Sequence, residues 1–431
     1  MSAQEREADS IDHSGEVALL RLAAVGAVDD GKSTLIGRLL HDADQLTEDQ
    51  LQALESASRA RGQSGINLSF ATDGLRAERA QGITIDVAYR YAVTPHRKLV
   101  IADCPGHVEY TRNMATGAST ADLALVVVDA TRGLREQTRR HTALAALFGV
   151  RHLLLAVNKM DLIDWDERRY RELTQEMQLL ARSLGGTAVE SVPISARHGD
   201  NVVERSVHAG WYRGPTVLEA LEQVPTSTFA GPGMTGMRLP VQLAERGPEG
   251  TIRVAGMLMG AEVQVSDEVV ILPEGRRTRV TALETLAGAV SSARAPLSIW
   301  LTLADGVGVQ RGDLIASAVD PPVPSRDQVA TVCWFAHYRL CRGQEFVVKH
   351  TTRVTTGRVL AVESKLDLDT LRLGPASYLE TNDIGVVRWW LADAIGADQY
   401  QDSRASGSFI VIDPKTEVTV AAVMVGAPAV T

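Results

Sequence analysis

One octapeptide constrains this chain more than any other feature. Gly26–Ser33 reads GAVDDGKS and stands directly after an apolar run and directly before a helical stretch. It fits the pattern G-x-x-x-x-G-K-[ST], whose glycines let the backbone N–H groups wrap closely around phosphates. The positive end of the helix that follows adds a favourable field for an anion. Such a loop needs a strand to deliver it and a helix to follow it, so a strand–loop–helix unit is expected here. Lys32 is placed to reach the β- and γ-phosphates and the Ser33 hydroxyl to ligate Mg²⁺. Gly26, Val28, Asp29, Asp30, Gly31 and Thr34 complete the contact set of the loop.

The sequence around it repeats the same alternation. VALLRLAAVG, KLVIADCPG, LALVVVDAT and HLLLAVNKMD are aliphatic runs that end in polar or glycine-rich turns. Runs of this kind are buried on both faces, as in a mostly parallel sheet. Helices are predicted over Ser33–Leu40, Thr138–Phe148 and Trp165–Leu184. The expected fold is a doubly wound α/β domain over 19–225, which binds its ligand at the carboxyl ends of the strands.

A phosphate loop alone leaves the base open. Asn158-Lys159-Met160-Asp161 ends the LLLAV strand, and the Asp161 carboxylate suits the N1–H and 2-amino group of guanine, a pair that adenine does not offer. Asp103-Cys104-Pro105-Gly106-His107 follows the strand LVIA. There Asp103 is placed to hold Mg²⁺ through water, and the Gly106 N–H to meet the γ-phosphate. Gly82-Ile83-Thr84-Ile85 lies between the two, and Thr84 would ligate Mg²⁺ only while the γ-phosphate is present, which makes a switch. Ser195-Ala196, with Arg197 beside it, follows a VPI strand and suits a loop that meets the guanine O6 through backbone N–H. The five motifs in this order predict GTP with Mg²⁺.

The chain has 431 residues, which suits two or three domains. Its texture changes near Thr226, where TSTFAGPGMTG reads as a linker. Short alternating segments then predict an antiparallel β-barrel domain over 237–318, and VDPPVPSRD precedes a second over 328–426. Residues 1–18 are polar and acidic and are expected to be a disordered tail without a signal peptide. No apolar run reaches the roughly 18 residues of a membrane helix. Three scattered cysteines suggest neither zinc nor disulfides. A cytoplasmic protein is expected, and a net charge of −9 makes a broad nucleic-acid surface unexpected. The run Lys349–Arg353 reads as a solvated strand face, and Trp389-Trp390 as core and edge packing.

DCPGH, GITI and two β domains behind the nucleotide domain resemble the elongation-factor-Tu-like GTPase superfamily. That resemblance implies that His107 orients the attacking water, with Lys32 and Thr84 as the other catalytic residues. Within the superfamily, GAVDDGKSTLIGRLL with Asp30, DGLRAERAQGITIDVAYRY, EQTRRH, SARHGDNVV, VVKHTTR and RASGSFIVID resemble the large GTPase subunit of bacterial sulfate adenylyltransferases. The likeness is dense over 20–225 and 345–425 and looser between them. It implies a heterodimer with a smaller catalytic subunit that joins sulfate to AMP, driven by GTP hydrolysis here. Gly31-Lys32 is the only Gly-Lys pair, so no fused adenylyl-sulfate kinase is expected. An aminoacyl-tRNA-carrying translation factor and a slow-hydrolysing GTP-binding regulator stay open as alternatives.

Overall fold

The structure, a computed structural model, describes residues 18–60, 66–71, 87–105, 111–186, 188–225, 234–247, 251–305, 308–367, 370 and 372–427. The principal division between its two compact units falls at Thr226 and Ser227.

The first unit is built on a six-stranded sheet. Its strands are β1 (Leu19–Val25), β2 (Ala88–Val93), β3 (Lys98–Asp103), β4 (Leu123–Asp129), β5 (His152–Asn158) and β6 (Ala188–Pro193), in the order β2-β3-β1-β4-β5-β6. All neighbours run parallel except β2, which pairs antiparallel with β3 at the edge. The aliphatic runs are buried as their composition requires, and every residue of β4 is inaccessible to solvent. β1 has β3 on one side and β4 on the other, and the chain reverses direction across the sheet there. A crevice therefore opens at the carboxyl end of β1, where the phosphate loop emerges.

The helices of this unit are α1 (Lys32–Asp42), α2 (Glu48–Ala60), α3 (Thr111–Ser119), α4 (Glu136–Leu147), α5 (Glu167–Ser183) and α6 (Val217–Gln223). In α5 the buried positions Tyr170, Leu173, Met177 and Leu180 recur every three or four residues and form one apolar stripe. Asp166 caps its start by accepting from Arg168 N. α6 begins with a capping box, in which Thr216 and Glu219 each satisfy the other's backbone N–H. Leu35, Ile36 and Leu39 of α1 pack with Leu22, Ile101, Leu125 and Val127 in the core beneath the crevice.

The second unit holds two closed antiparallel barrels of six strands each. The first comprises β7 (Met237–Pro240), β8 (Ile252–Gly260), β9 (Glu268–Leu272), β10 (Arg276–Thr285), β11 (Leu297–Leu303) and β12 (Leu314–Ser317), closing in the order β9-β12-β7-β8-β11-β10. The second comprises β13 (Ser325–Trp334), β14 (Glu345–His350), β15 (Arg353–Asp367), β16 (Ile384–Ile395), β17 (Ser408–Ile412) and β18 (Thr419–Val425), closing in the order β14-β17-β18-β13-β16-β15. Closure pairs the first and last strand of each ring with one another, so neither is left as an open edge. Trp389 is fully buried in the second barrel, edge-on to Phe346 and Phe409, whereas Trp390 faces outward under the Arg326 guanidinium.

The Lys349–Arg353 run departs from the solvated face expected of it. His350 is buried and donates from Nε2 to the Ser406 carbonyl at 2.7 Å. Arg353 crosses to the first barrel, pairing with Asp313 Oδ1 at 2.7 Å and donating to Gly312 O at 2.9 Å. Arg238 of β7 makes the reciprocal link as a two-bonded fork onto Asp398, at 2.9 and 3.2 Å. Partner carboxylates far away in sequence turn an apparent surface patch into an inter-barrel clamp.

Candidate functional site: the cleft at the carboxyl end of β1

The phosphate loop takes the conformation its glycines permit. Gly26 and Gly31 lie at φ 145° and 95°, where a side chain is strained. A Cβ on Gly26 would strike the Val127 carbonyl, and one on Gly31 the Asn158 amide. Both glycines are thus fixed by close approach of neighbouring strands as well as by the turn.

Lys32 opens α1 and is buried, with Nζ donating to the Gly26 and Ala27 carbonyls at 3.0 Å each. Burial draws its pKa below the ordinary lysine value, against the nearby carboxylates of Asp103 and Asp30. The ammonium therefore waits inside the loop, within the reach of any phosphate that enters. Ser33 and Thr34 follow it in the first turn of α1. Asp103 ends β3 in register with Ala24 of β1, which places its buried carboxylate beside the loop. The Asp30 side chain, by contrast, turns into the protein and is fully buried.

Asn158 joins the loop to the base-side wall. Its Nδ2 donates to Asp30 O at 2.8 Å, and its Oδ1 accepts from Ala196 N at 3.0 Å. Lys159, at φ 64°, donates from Nζ to Asp29 O and to Asp129 Oδ2, both at 2.7 Å. Burial of Asp129 acts upward on its pKa, but the hydrogen bonds from Lys159 and Thr131 outweigh it and hold the carboxyl below its usual value. Asp161 sits in the short turn Met160–Ile163, tied to the end of β6 by Met160 N donating to Ile194 O at 3.2 Å. His198 Nε2 stands 3.7 Å from Asp161 Oδ2.

These residues enclose a cavity of about 640 Å³ lined by Gly31, Thr34, Asn158, Lys159, Asp161, Ser195, Ala196 and Arg197. One motif from each of three loops thus meets in a single concave site of ligand size. Thr84, Gly106 and His107 lie outside the described residues.

Two residues with no motif to announce them also belong to this cleft. Arg38 of α1 donates to the carbonyls of Ala196 at 3.3 Å and Arg197 at 2.7 Å, fixing the base-side loop from below. Arg135, just before α4, donates to the Val28 carbonyl and to Asp30 Oδ1. Neither was legible, because each acts on a backbone carbonyl more than a hundred residues away.

Residues 18–227 match the family described as elongation factor Tu GTP binding domain, and residues 327–426 match the GTP-eEF1A C-terminal domain-like family. A sulfate adenylyltransferase subunit 1 of Colwellia psychrerythraea is 42% identical over 94% of this chain and 87% of its own length. This chain belongs to the sulfate adenylyltransferase subunit 1 family. Another relative, the bifunctional enzyme CysN/CysC of Mycobacterium tuberculosis, is 47% identical over 94% of this chain and 67% of its own length. The GTPase-like domain of Saccharomyces cerevisiae Ski7 shares the fold alone, with a TM-score of 0.50, 16% identity and 99% of this chain covered. As a member of the subunit 1 family with an elongation-factor-Tu-type nucleotide domain, the chain has a GTP-binding cleft. None of the described helices is long and apolar enough to cross a membrane.

Proposed function

We propose that this chain is the GTP-hydrolysing subunit of a cytoplasmic sulfate adenylyltransferase, and that it acts in complex with a smaller subunit on which ATP and sulfate are joined to adenylyl sulfate and diphosphate. The observation that carries the reading is identity above 40% to subunit 1 proteins along nearly the whole chain, together with a cleft built for a guanine nucleotide.

The physical need is clear. A phosphosulfate anhydride lies steeply uphill from ATP and sulfate. A second nucleotide hydrolysis can pull its formation forward if the GTPase has states that bias the partner differently. In this reading Lys32 leaves the Gly26 and Ala27 carbonyls for the phosphates. Asp161 accepts from guanine N1–H and the 2-amino group, and Ala196 N–H turns from Asn158 Oδ1, to which it donates at 3.0 Å, towards O6. Ser33 in the first turn of α1 and the buried Asp103 at the end of β3 offer hard oxygen donors at the loop, a set that suits Mg²⁺, whose remaining ligands would come from phosphates and water. The ion would supply charge neutralisation at the phosphates. Thr84, Gly106 and His107 carry the γ-phosphate switch and the water-orienting role in the proposal.

The test mixes the purified chain with a small sulfurylase subunit, ATP, sulfate and pyrophosphatase, and follows adenylyl sulfate. Formation is expected to rise with GTP and to fall back with a non-hydrolysable analogue. Equal product with and without GTP would overturn the coupling.

A further inference from the structure

A peptide carbonyl facing a phosphate is repulsive, so a loop that holds several phosphates has to engage its carbonyls elsewhere. In this loop five consecutive carbonyls accept from side chains. Gly26 O and Ala27 O take Lys32 Nζ, Val28 O takes Arg135 Nη2, Asp29 O takes Lys159 Nζ, and Asp30 O takes Asn158 Nδ2. Lys32, Asn158 and Lys159 belong to the phosphate and base motifs. Arg135 belongs to neither.

Arg135 lies at the turn between β4 and α4, with extended backbone. The Nη2 that engages Val28 O also donates to Asp30 Oδ1 at 2.6 Å. Asp30 is fully buried, and its other oxygen accepts from Ala27 N at 3.1 Å. Burial holds the Asp30 carboxyl above its ordinary value, and the guanidinium's hydrogen bond and charge oppose that without cancelling it. The result is a brace in which Ala27 N–H, the Asp30 carboxylate, the Arg135 guanidinium and the Val28 carbonyl form one continuous chain of hydrogen bonds. Lys32 has to abandon its two carbonyls when phosphates enter. Arg135 is pinned by a buried carboxylate and keeps its own.

We infer that Arg135 is a positioning residue for the phosphate loop: paired with Asp30, it holds the Val28 carbonyl away from the bound phosphates, and so sets how strongly the loop favours a nucleotide with two or more phosphates over one with a single phosphate. The inference rests on the reading of this cleft as a guanine-nucleotide site, which wild-type GDP binding checks separately.

The experiment measures dissociation constants of GMP and GDP by calorimetric titration for the full chain, for Arg135→Leu and for Arg135→Lys. A lysine ammonium keeps the charge and can donate to both acceptors from one nitrogen, but on a flexible stem without the planar guanidinium that fixes the direction of the two bonds. In Arg135→Leu the GMP-to-GDP ratio of dissociation constants is expected to fall about tenfold, with GMP binding changed less than about twofold. Arg135→Lys is expected to fall between that variant and wild type. A general loss of packing would weaken GMP and GDP alike and leave the ratio where it was. An unchanged ratio in Arg135→Leu, whether or not affinity drops, overturns the assignment. Should that variant not fold, an unchanged ratio in Arg135→Lys does the same.

Discussion

Guanine presents N1–H and a 2-amino group side by side, and a carboxylate accepts from both, whereas an amide in its place meets one of them with a donor. Asp161→Asn is therefore expected to weaken GTP by at least about a hundredfold and to favour xanthosine triphosphate, whose second carbonyl the amide can satisfy. A competition assay with the two nucleotides reads this directly, and retained guanine preference would remove Asp161 from base reading. His141 bears on stability instead. It is buried, and burial first, then the charges of Lys32 and Arg140, bring its pKa down to about 3. The unfolded chain takes up a proton at this side chain below the ordinary value of 6.5, and the folded chain does not. Stability is thus fully present above 6.5 and is lost as pH falls towards 3. The slope is at most about 1.4 kcal/mol per pH unit. In His141→Gln the stability difference between pH 7 and pH 5, read by urea unfolding, is expected to shrink by about 2 kcal/mol. An identical acid limb in both proteins would contradict the neutral buried imidazole.

At the level of elements, a buried cation ties down the end of α6. Arg97, in the turn between β2 and β3, donates from Nη1 to Leu221 O at 3.0 Å and to Val224 O at 2.5 Å, satisfying carbonyls that the end of α6 leaves open. Arg97→Ala strands both in a buried setting and is expected to cost about 2–4 kcal/mol. Thr216→Ala at the other end of the helix removes only a cap and is expected to cost about 1 kcal/mol. Chemical denaturation of the two variants checks the order, and equal losses would mean that Arg97 carries no special load. The contrast also explains what the sequence disclosed. Apolar period and turn chemistry are local, so α1, α4 and α5 lie within two or three residues of their expected bounds, and the loops holding Lys32, Asn158 and Ser195 meet as their strand ends require. Arg38, Arg97 and Arg135 escaped notice because each bonds backbone carbonyls, which every residue type carries. The two barrels were expected from their short alternating segments, but the order of strands around each ring was not legible, since β14 pairs with β17 across more than fifty residues of intervening chain.

At the scale of the molecule, the cleft draws all its described lining from the first unit, whereas the second unit is held by charge pairs between its barrels. Arg238 is 1% exposed, and its guanidinium forks onto Asp398, itself hydrogen-bonded to the Ser406 hydroxyl. Removing one partner of a buried pair leaves the other charge without compensation, which costs more than the pair ever contributed. Arg238→Ala is therefore expected to lose about 3–5 kcal/mol. Arg238→Met, which keeps much of the stem's packing, should lose nearly as much, because the stranded Asp398 carboxylate dominates and not the lost volume. Restoring balance should help: adding Asp398→Asn to Arg238→Met is expected to recover about half of the loss, since a neutral amide tolerates burial far better than an anion. GDP affinity should stay within about twofold in all three, as the described lining of the cleft belongs to the first unit and this pair to the second. Thermal unfolding beside a GDP titration decides the matter. A double variant less stable than Arg238→Met would show that volume rather than charge governs the joint, and a parallel fall in GDP affinity would show that the barrels reach into nucleotide binding.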